Sequence, residues 1–347
     1  MSHDCRAHSD RVSKLTHYRW FCATGSSAML FSIIGLIVIY AMSAHAHGEG
    51  TLNWDLLMEQ ASDFSPSLFT FAFVFTFIGF AAKSGIVPFH TWLPPAHAKA
   101  PSVVSALLSA VLLNVGMYGV VRLYAIGYHT SAKASISTVL LVFGAVSVVI
   151  AALCMLPRTN VKKLIAYSSI EHMGLMLIGI GVGAKVAMFW VLFHALGHAL
   201  VKSLLFFSAG ILHCQYGTNK LGGIGNAFGR QPLASWGMIL GSAAIIGTPL
   251  FPVFLSKLFI LEQAGDRSLW LLAVILPFLL LVAAAFAVFL VPVFTRKEGE
   301  GMDPPYLAPW TMKAPIVLLL IAIVILGLYL PGGLTGMIDD AVAGLGF

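Results

Sequence analysis

The chain has 347 residues, of which 59% are apolar and 10% are charged. Soluble domains carry about 25% charged residues, so this composition excludes a soluble protein and predicts an all-α, polytopic membrane protein in the lipid bilayer. The formal net charge of +6 does not indicate nucleic-acid binding, because the basic residues lie mostly in short loops. The four cysteines are scattered without a CxxC pair, which argues against an iron–sulfur or zinc site.

Nine apolar runs are long enough to cross about 30 Å of hydrocarbon. They are 26–43, 65–87, 102–124, 134–156, 164–182, 186–212, 233–263, 268–293 and 313–331. We therefore expect a polar N-terminal segment at 1–25, one transmembrane domain at 26–331 and a short C-terminal tail at 332–347. The chain contains no GxGxxG motif and no flavin or nickel ligands, so we expect no cofactor and no metal. Whether it is an enzyme stays open.

The loop charges predict a cytoplasmic N-terminus in the cell (inner) membrane. With that orientation the cytoplasmic side carries thirteen basic residues: Arg6, Arg11, Lys14, Arg19, Lys99, Arg158, Lys162, Lys163, Lys220, Arg230, Arg296, Lys297 and Lys313. The other side carries four: Arg122, Lys133, Lys185 and Arg267. Three further lysines remain for the membrane interior.

Two of these lysines lie beside prolines. Lys83 precedes Pro88 in the second run, and Lys257 follows Pro249 and Pro252 in the seventh. A lysine at a helix centre costs about 2.5–3.5 kcal/mol, and proline interrupts the backbone ladder. Two broken helices five spans apart, running in opposite directions, predict inverted repeats and an ion pathway. For Lys83 the alternative is a side chain that reaches the surface from a helix end.

The third lysine belongs to a polar row in the sixth run. His194, His198 and Lys202 are spaced at i, i+4 and i+8, so they share one helix face. Imidazole exchanges protons near neutral pH, and the row therefore suits a proton relay. One alternative is hydrogen bonding to a neighbouring helix. Another is a zinc pair, although no HExxH glutamate accompanies it and Lys202 would repel a cation.

Polar residues in two further runs are candidates for the same pathway. The motif YSSIEHMG places Glu171 and His172 in the fifth run. Glu171 either pairs with a buried lysine, passes protons or holds helices together. Asn114 lies centrally in the third run; it does not titrate but can hold a bridging water. His90 and His97 crowd a proline-rich loop after the second run, where a structural role is favoured.

Four segments together resemble the antiporter-like proton-pumping subunits of respiratory complex I, Mrp antiporters and membrane-bound hydrogenases. They are Ala81–Arg122, Asn160–Gly174, Phe193–Gly210 and Gly247–Ile260, and the block HTWLPPAH is the most specific. The motifs SSIEHMG, LLNVGMYG and YGTNKLGG are most similar to hydrogenase 4 component F.

The resemblance implies about fourteen helices with two inverted five-helix repeats, of which this chain matches the sixth to the fourteenth. Lys83 matches the lysine of the broken seventh helix, and Lys257 matches the broken twelfth. His194, His198 and Lys202 match the relay of the eleventh. Asn114 stands where many relatives carry lysine. The helix whose glutamate pairs with the Lys83 position is missing. Either the chain resembles an N-terminally truncated member, or a partner chain supplies the acid.

The implied function is proton translocation, coupled to redox chemistry in other membrane and peripheral subunits of a hydrogenase, formate hydrogenlyase or NADH:quinone oxidoreductase-like complex. A cation/proton antiporter component without redox coupling is one alternative. A structural membrane scaffold is another, and an inorganic-carbon uptake subunit is a further family possibility.

Overall fold

A computed structural model of the chain describes residues 28–46, 48–295 and 304–347. The predicted polar segment 1–25 lies outside these residues. The helices are α1 (Ala28–Ala46), α2 (Trp54–Gln60), α3 (Pro66–Ser84), α4 (Leu93–Lys99), α5 (Ser102–Leu107), α6 (Leu113–Tyr128), α7 (Lys133–Met155), α8 (Val161–Val182), α9 (Lys185–Tyr216), α10 (Ala227–Arg230), α11 (Pro232–Ile246), α12 (Pro252–Arg267), α13 (Leu269–Thr295), α14 (Trp310–Leu328) and α15 (Gly332–Gly344). A π-helical turn, Leu108–Leu112, joins α5 to α6.

The all-α membrane architecture predicted from composition is confirmed. Within the described ranges, eight helices are long and apolar enough to cross a membrane, with α3 and α4 counted as one span and α5 and α6 as another. Seven of the nine predicted runs match these spans to within about one helical turn, and an eighth, 65–87, matches α3 alone. The remaining run, 233–263, is not one helix, because the helix is broken between α11 and α12.

The first break follows α3. Gly85 adopts the left-handed conformation (φ 69°), and its N–H caps the carbonyls of Ala81 and Ala82. Such a conformation ends a helix and favours glycine. The helix resumes at Leu93, after a 3₁₀ turn over Phe89–Trp92. The prediction of a loop around His90 and His97 was therefore wrong: both lie in helical turns, because prolines are tolerated in the first turn of a helix.

The second break separates α11 from α12. Gly247 closes α11 with φ 92°, and Pro252 stands in the first turn of α12. Between them Leu250 has φ 83°, a conformation that β-carbon-bearing residues seldom adopt. The predicted broken helix at Lys257 is confirmed, and Lys257 lies in the second turn of the resumed helix.

Helix α8 forms the centre of the bundle. It packs against α4, α7, α9 and α12, and almost every side chain along it is buried. Most membrane helices show lipid an apolar face, whereas a helix surrounded by protein can carry polar groups on several sides. Glu171 and His172 are therefore held at the protein interior.

One face of the bundle, the basic face, carries the loops and helix ends that hold Lys99, Arg158, Lys163, Lys220 and Arg230. There Asn160 pairs with Lys220 in a short antiparallel bridge. The Gln231 side-chain amide donates to Gln215 Oε1 at 3.0 Å and to the Tyr306 carbonyl at 2.6 Å. These contacts gather the start of α8, the end of α9 and the segment before α14 at one level.

The opposite face gathers the other helix ends. Phe347 packs on Tyr128 at the end of α6, with ring centroids 4.5 Å apart. The Arg122 guanidinium lies over the Trp54 ring at 4.8 Å. The chain end and α2 thus lie on the side where α6 ends, as an alternating up-and-down path requires.

Gly327 of α14 sets how closely that helix approaches the second break. A β-carbon at Gly327 would overlap the backbone carbonyl of Leu250, whereas one at Gly336 would meet open space. We expect Gly327→Ala to destabilise the folded chain by about 1–3 kcal/mol, the usual cost of overpacking. Thermal unfolding of the purified protein in detergent measures the effect, with Gly336→Ala as the matched control. Equal midpoints for the two variants would contradict this close packing.

Candidate proton pathway

The ion pair between Lys257 and Glu171 joins α12 to α8. Lys257 Nζ lies 3.2 Å from Glu171 Oε1. The carboxylate is fully buried, and the lysine side chain is 8% exposed. The ammonium also approaches the Ile246 carbonyl at 3.4 Å. Ile246 ends α11, so the break places the negative end of a helix dipole beside the lysine.

A hydrogen-bonded row of side chains lies beside this pair. His172 Nδ1 lies 2.9 Å from His194 Nε2, and His194 Nδ1 lies 2.8 Å from Ser256 Oγ. Which nitrogen donates depends on the tautomer of each ring. Glu171 Oε2 is 3.3 Å from His172 Nε2, but these two atoms do not form a hydrogen bond. The row therefore links α8, α9 and α12 within the bundle.

Lys202 forms a second polar centre between α9 and α8. Its buried ammonium donates to the Ile165 carbonyl at 2.8 Å and to Ser168 Oγ. Ser168 Oγ in turn donates to the same carbonyl at 2.9 Å. No carboxylate among the described residues pairs with Lys202, so neutral oxygen atoms hold it. Burying a charge without a counter-charge is costly, so the hydrogen bonds to these oxygen atoms are what stabilise the ammonium.

His198 stands between these two centres. Its ring centroid lies 5.3 Å from that of His172, and Lys202 follows one helical turn later on the same face of α9. Neither ring nitrogen of His198 has a hydrogen-bond partner among the described residues. The row of hydrogen bonds is continuous from Ser256 to His172 and is interrupted at His198. A rotation of the His198 ring, or a water molecule beside it, would complete the row.

Asn114 follows the π-helical turn and contacts α9. Its amide donates to the Ala110 carbonyl at 2.8 Å and to the Ala195 carbonyl at 3.2 Å, while Oδ1 has no partner among the described residues. Within the turn, Ser109 hydrogen-bonds Ser169 of α8 at 2.9 Å. π-Helical turns occur often at functional sites. Asn114 thus contacts α9 at Ala195, the residue that follows His194.

Lys83 is not brought into this cluster. It lies in the last turn of α3 with an exposed side chain. Among the described residues it has neither a hydrogen bond nor an ion pair. The other predicted residues on α8, α9 and α12 do converge: Glu171, His172, His194, His198, Lys202 and Lys257.

Some polar residues of the network were not among the predicted site residues. Ser256 was missed altogether, although it directly precedes Lys257. Ser168 lies in the motif YSSIEHMG, of which only Glu171 and His172 were predicted to belong to the pathway. Small hydroxyl residues are common in membrane helices, where most of them bond their own backbone. Their part in the row becomes visible only when α8, α9 and α12 are packed together.

Removing the charge of Glu171 tests the buried ion pair. Glu171→Gln leaves the Lys257 ammonium without its carboxylate, and we expect destabilisation of about 3–5 kcal/mol. Glu262→Gln, an exposed carboxylate on α12, should change the stability little. Adding Lys257→Met to Glu171→Gln should recover part of the loss in a thermal unfolding assay. A double variant no more stable than Glu171→Gln would show that the pair is not coupled.

The family model described as NADH:quinone oxidoreductase/Mrp antiporter, transmembrane, matches residues 12–283. The chain is 34% identical over 280 residues to a hydrogenase-4 component F homolog of Methylacidiphilum infernorum, covering 80% of this chain and 59% of that protein. It is 28% identical over 320 residues to NADH-quinone oxidoreductase subunit M of Pseudomonas aeruginosa, covering 92% and 61%. The chain thus spans about three-fifths of the length of these curated relatives.

Solved structures share the fold. A chain of the membrane-bound sulfane sulfur reductase, an archaeal respiratory membrane complex, superposes with a TM-score of 0.84 at 26% identity, covering 95% of this chain and 66% of that one. A chain of the Mrp complex from Dietzia superposes with a TM-score of 0.84 at 20% identity, covering 95% and 68%. The predicted resemblance is confirmed, and the chain belongs to the NADH:quinone oxidoreductase/Mrp antiporter transmembrane family.

Proposed function

We propose that this chain is a proton-translocating membrane subunit of a hydrogenase, formate hydrogenlyase or NADH:quinone oxidoreductase-like complex. The observation that carries the proposal is the buried row of titratable side chains from Lys257 to Lys202. Burying several ionisable groups in a membrane bundle is costly, and a scaffold alone gains nothing from groups that exchange protons. The cell (inner) membrane and a cytoplasmic basic face complete the proposal.

Proton movement along the row is stepwise. Each imidazole accepts a proton at one nitrogen and releases one from the other, so His172 and His194 transfer protons without leaving their helices. The opening at His198 divides the row into a Lys257 part and a Lys202 part. Turning of the His198 ring, or a water beside it, joins the two parts and acts as the controlled step.

Charge couples the two lysines. When Glu171 pairs with Lys257, the carboxylate neutralises that ammonium; when the pair opens, its positive charge acts on the histidines and on Lys202. Electrostatic interactions are strong in a low-dielectric interior, so the charge on one lysine favours loss of the proton from the next. A movement that opens the pair can thereby drive a proton along the row.

The driving reaction belongs to partner subunits in this proposal. The two curated relatives are named as components of a hydrogenase and of an NADH-quinone oxidoreductase. The exposed Lys83 at the first break leaves room for a contact with a further protein segment. An ammonium facing lipid is unfavourable, so an acidic residue from another protein segment would stabilise it.

Lys257→Ala tests the proposal directly. We expect proton uptake by the reconstituted complex to be abolished, because the row loses the group that Glu171 holds. Hydrogen or NADH oxidation by the partner subunits should remain measurable. Proton uptake is followed with a pH-sensitive dye in liposomes, and Lys185→Ala, an exposed lysine, is the matched control.

Other outcomes assign other functions. Unchanged pumping in Lys257→Ala would overturn the proposed role of the row. Pumping that also survives loss of Lys83 and Lys202 would indicate a scaffold. Sodium-dependent proton flux without any electron donor would indicate an antiporter component instead.

The proposed orientation has its own test. Cys214 is exposed on the basic face, and Asp340 is exposed in α15 on the opposite face. Two single-cysteine chains are compared, one that keeps Cys214 and one that carries Asp340→Cys, with all other cysteines replaced by serine. A membrane-impermeant maleimide added to intact cells should label the chain with Asp340→Cys and leave the chain with Cys214 unlabelled. The reverse pattern would place the basic face outside.

A further inference from the structure

His97 is a buried histidine that the row described above does not include. It lies in α4, the short helix after the first break, and is fully buried. Neither of its ring nitrogens has a hydrogen-bond partner among the described residues. Buried polar groups are nearly always hydrogen-bonded, so two unpartnered nitrogens on one ring require an explanation.

Packing fixes the ring without satisfying it. His97 stacks on Phe206 of α9, with ring centroids 4.8 Å apart and planes 15° from parallel. Its carbonyl accepts a hydrogen bond from Ser105 Oγ at 3.2 Å. The backbone and the ring plane are therefore held in place, while both nitrogens stay available for water or a proton.

The ring lies next to the Lys202 end of the row. Phe206 is one helical turn beyond Lys202 on the same face of α9, and α4 packs against α8, where Lys202 is bound. The ammonium groups that act electrostatically on the His97 ring are those of Lys202 on α9 and Lys162 on α8. His97 thus adjoins the end of the row that is remote from Lys257.

On its other side His97 adjoins the basic face. Lys162, in the first turn of α8, is buried and donates from Nζ to the Ala100 carbonyl at 3.0 Å. Ala100 directly follows α4, and Lys99, the last residue of that helix, is exposed. Only about one turn of α4 separates the buried ring from residues that reach the surface of the basic face.

We propose that His97 takes up protons from water at the basic face and passes them to Lys202. This inference rests on the proposed function and adds the group through which protons enter the row. The ring accepts a proton at the nitrogen nearer the surface, releases one from the other nitrogen, and Lys202 receives it while its amine is neutral. No bond other than those to the proton changes, and no further reactant is needed.

The proposal differs from a packing role in its chemistry. A packing role needs only a flat ring against Phe206, which phenylalanine would supply. Proton uptake needs a ring with one nitrogen that accepts a proton and another that releases one, and phenylalanine has neither. His97→Phe and His97→Ala separate the two, because the first keeps the ring and the second leaves a space that a small molecule can enter.

The test uses the complete complex, reconstituted in liposomes and driven by its own electron donor. The readout is the membrane potential, reported by an oxonol dye. A pH-gradient readout is avoided because imidazole, the weak base added to rescue His97→Ala, would disturb it. We expect both variants to assemble and to generate potential at least about tenfold more slowly than the wild type, the scale of a lost proton-transfer group. Imidazole should restore much of the rate in His97→Ala. Pyrazole, a ring of the same size that is not protonated near neutral pH, should not.

Each other result overturns the inference. Wild-type rates in His97→Phe, equal rescue by imidazole and pyrazole, or loss without any rescue would assign His97 to packing. Lys257→Ala, measured in parallel, separates the two proposals. If Lys257→Ala stops potential formation while His97→Phe does not, only the uptake role fails; if neither variant affects it, the proposed function fails too.

Discussion

The pairing of Lys257 with Glu171 is the constraint on which the bundle depends. Two opposite charges inside a membrane protein are tolerated only if each has a partner and further polar contacts. The break between α11 and α12 supplies such a contact, because it ends a helix at the Ile246 carbonyl. Helix α8 supplies the carboxylate, and it can do so because other helices shield it from lipid.

The two broken helices have different surroundings in this chain. Around Lys257, helices on several sides provide a carboxylate, a carbonyl and the histidine row. Around Lys83 the described residues provide none of these, and the side chain faces outward. Similar sequence features, a lysine beside proline, therefore produce an internal site in one place and a surface that another protein segment could cover in the other.

Much of this architecture could be predicted from the sequence. Apolar runs identify membrane helices because lipid requires about 20 apolar residues per crossing, and prolines beside a lysine identified both breaks. The i, i+4, i+8 spacing placed His194, His198 and Lys202 on one face, since helical periodicity is a local property.

The contacts between helices could not be predicted in the same way. That Glu171 pairs with Lys257 rather than Lys202 depends on how α8, α9 and α12 pack. Ser256 joins the row for the same reason, and its hydroxyl carries no distinctive signal in the sequence. The four prolines around His97 predict a loop, whereas in the folded chain that stretch forms a short helix in which the His97 side chain is buried.

The π-helical turn Leu108–Leu112 has a consequence for the register of the whole third span. A π turn accommodates one more residue than an α turn, which rotates everything after it by about 100° around the helix axis. Ser109 faces α8 before this rotation is complete, and Asn114 faces α9 after it. Deleting one residue from this turn would return the span to a regular α-helix and turn Asn114 away from Ala195. The contact between Asn114 and Ala195 therefore depends on the one extra residue of the π turn.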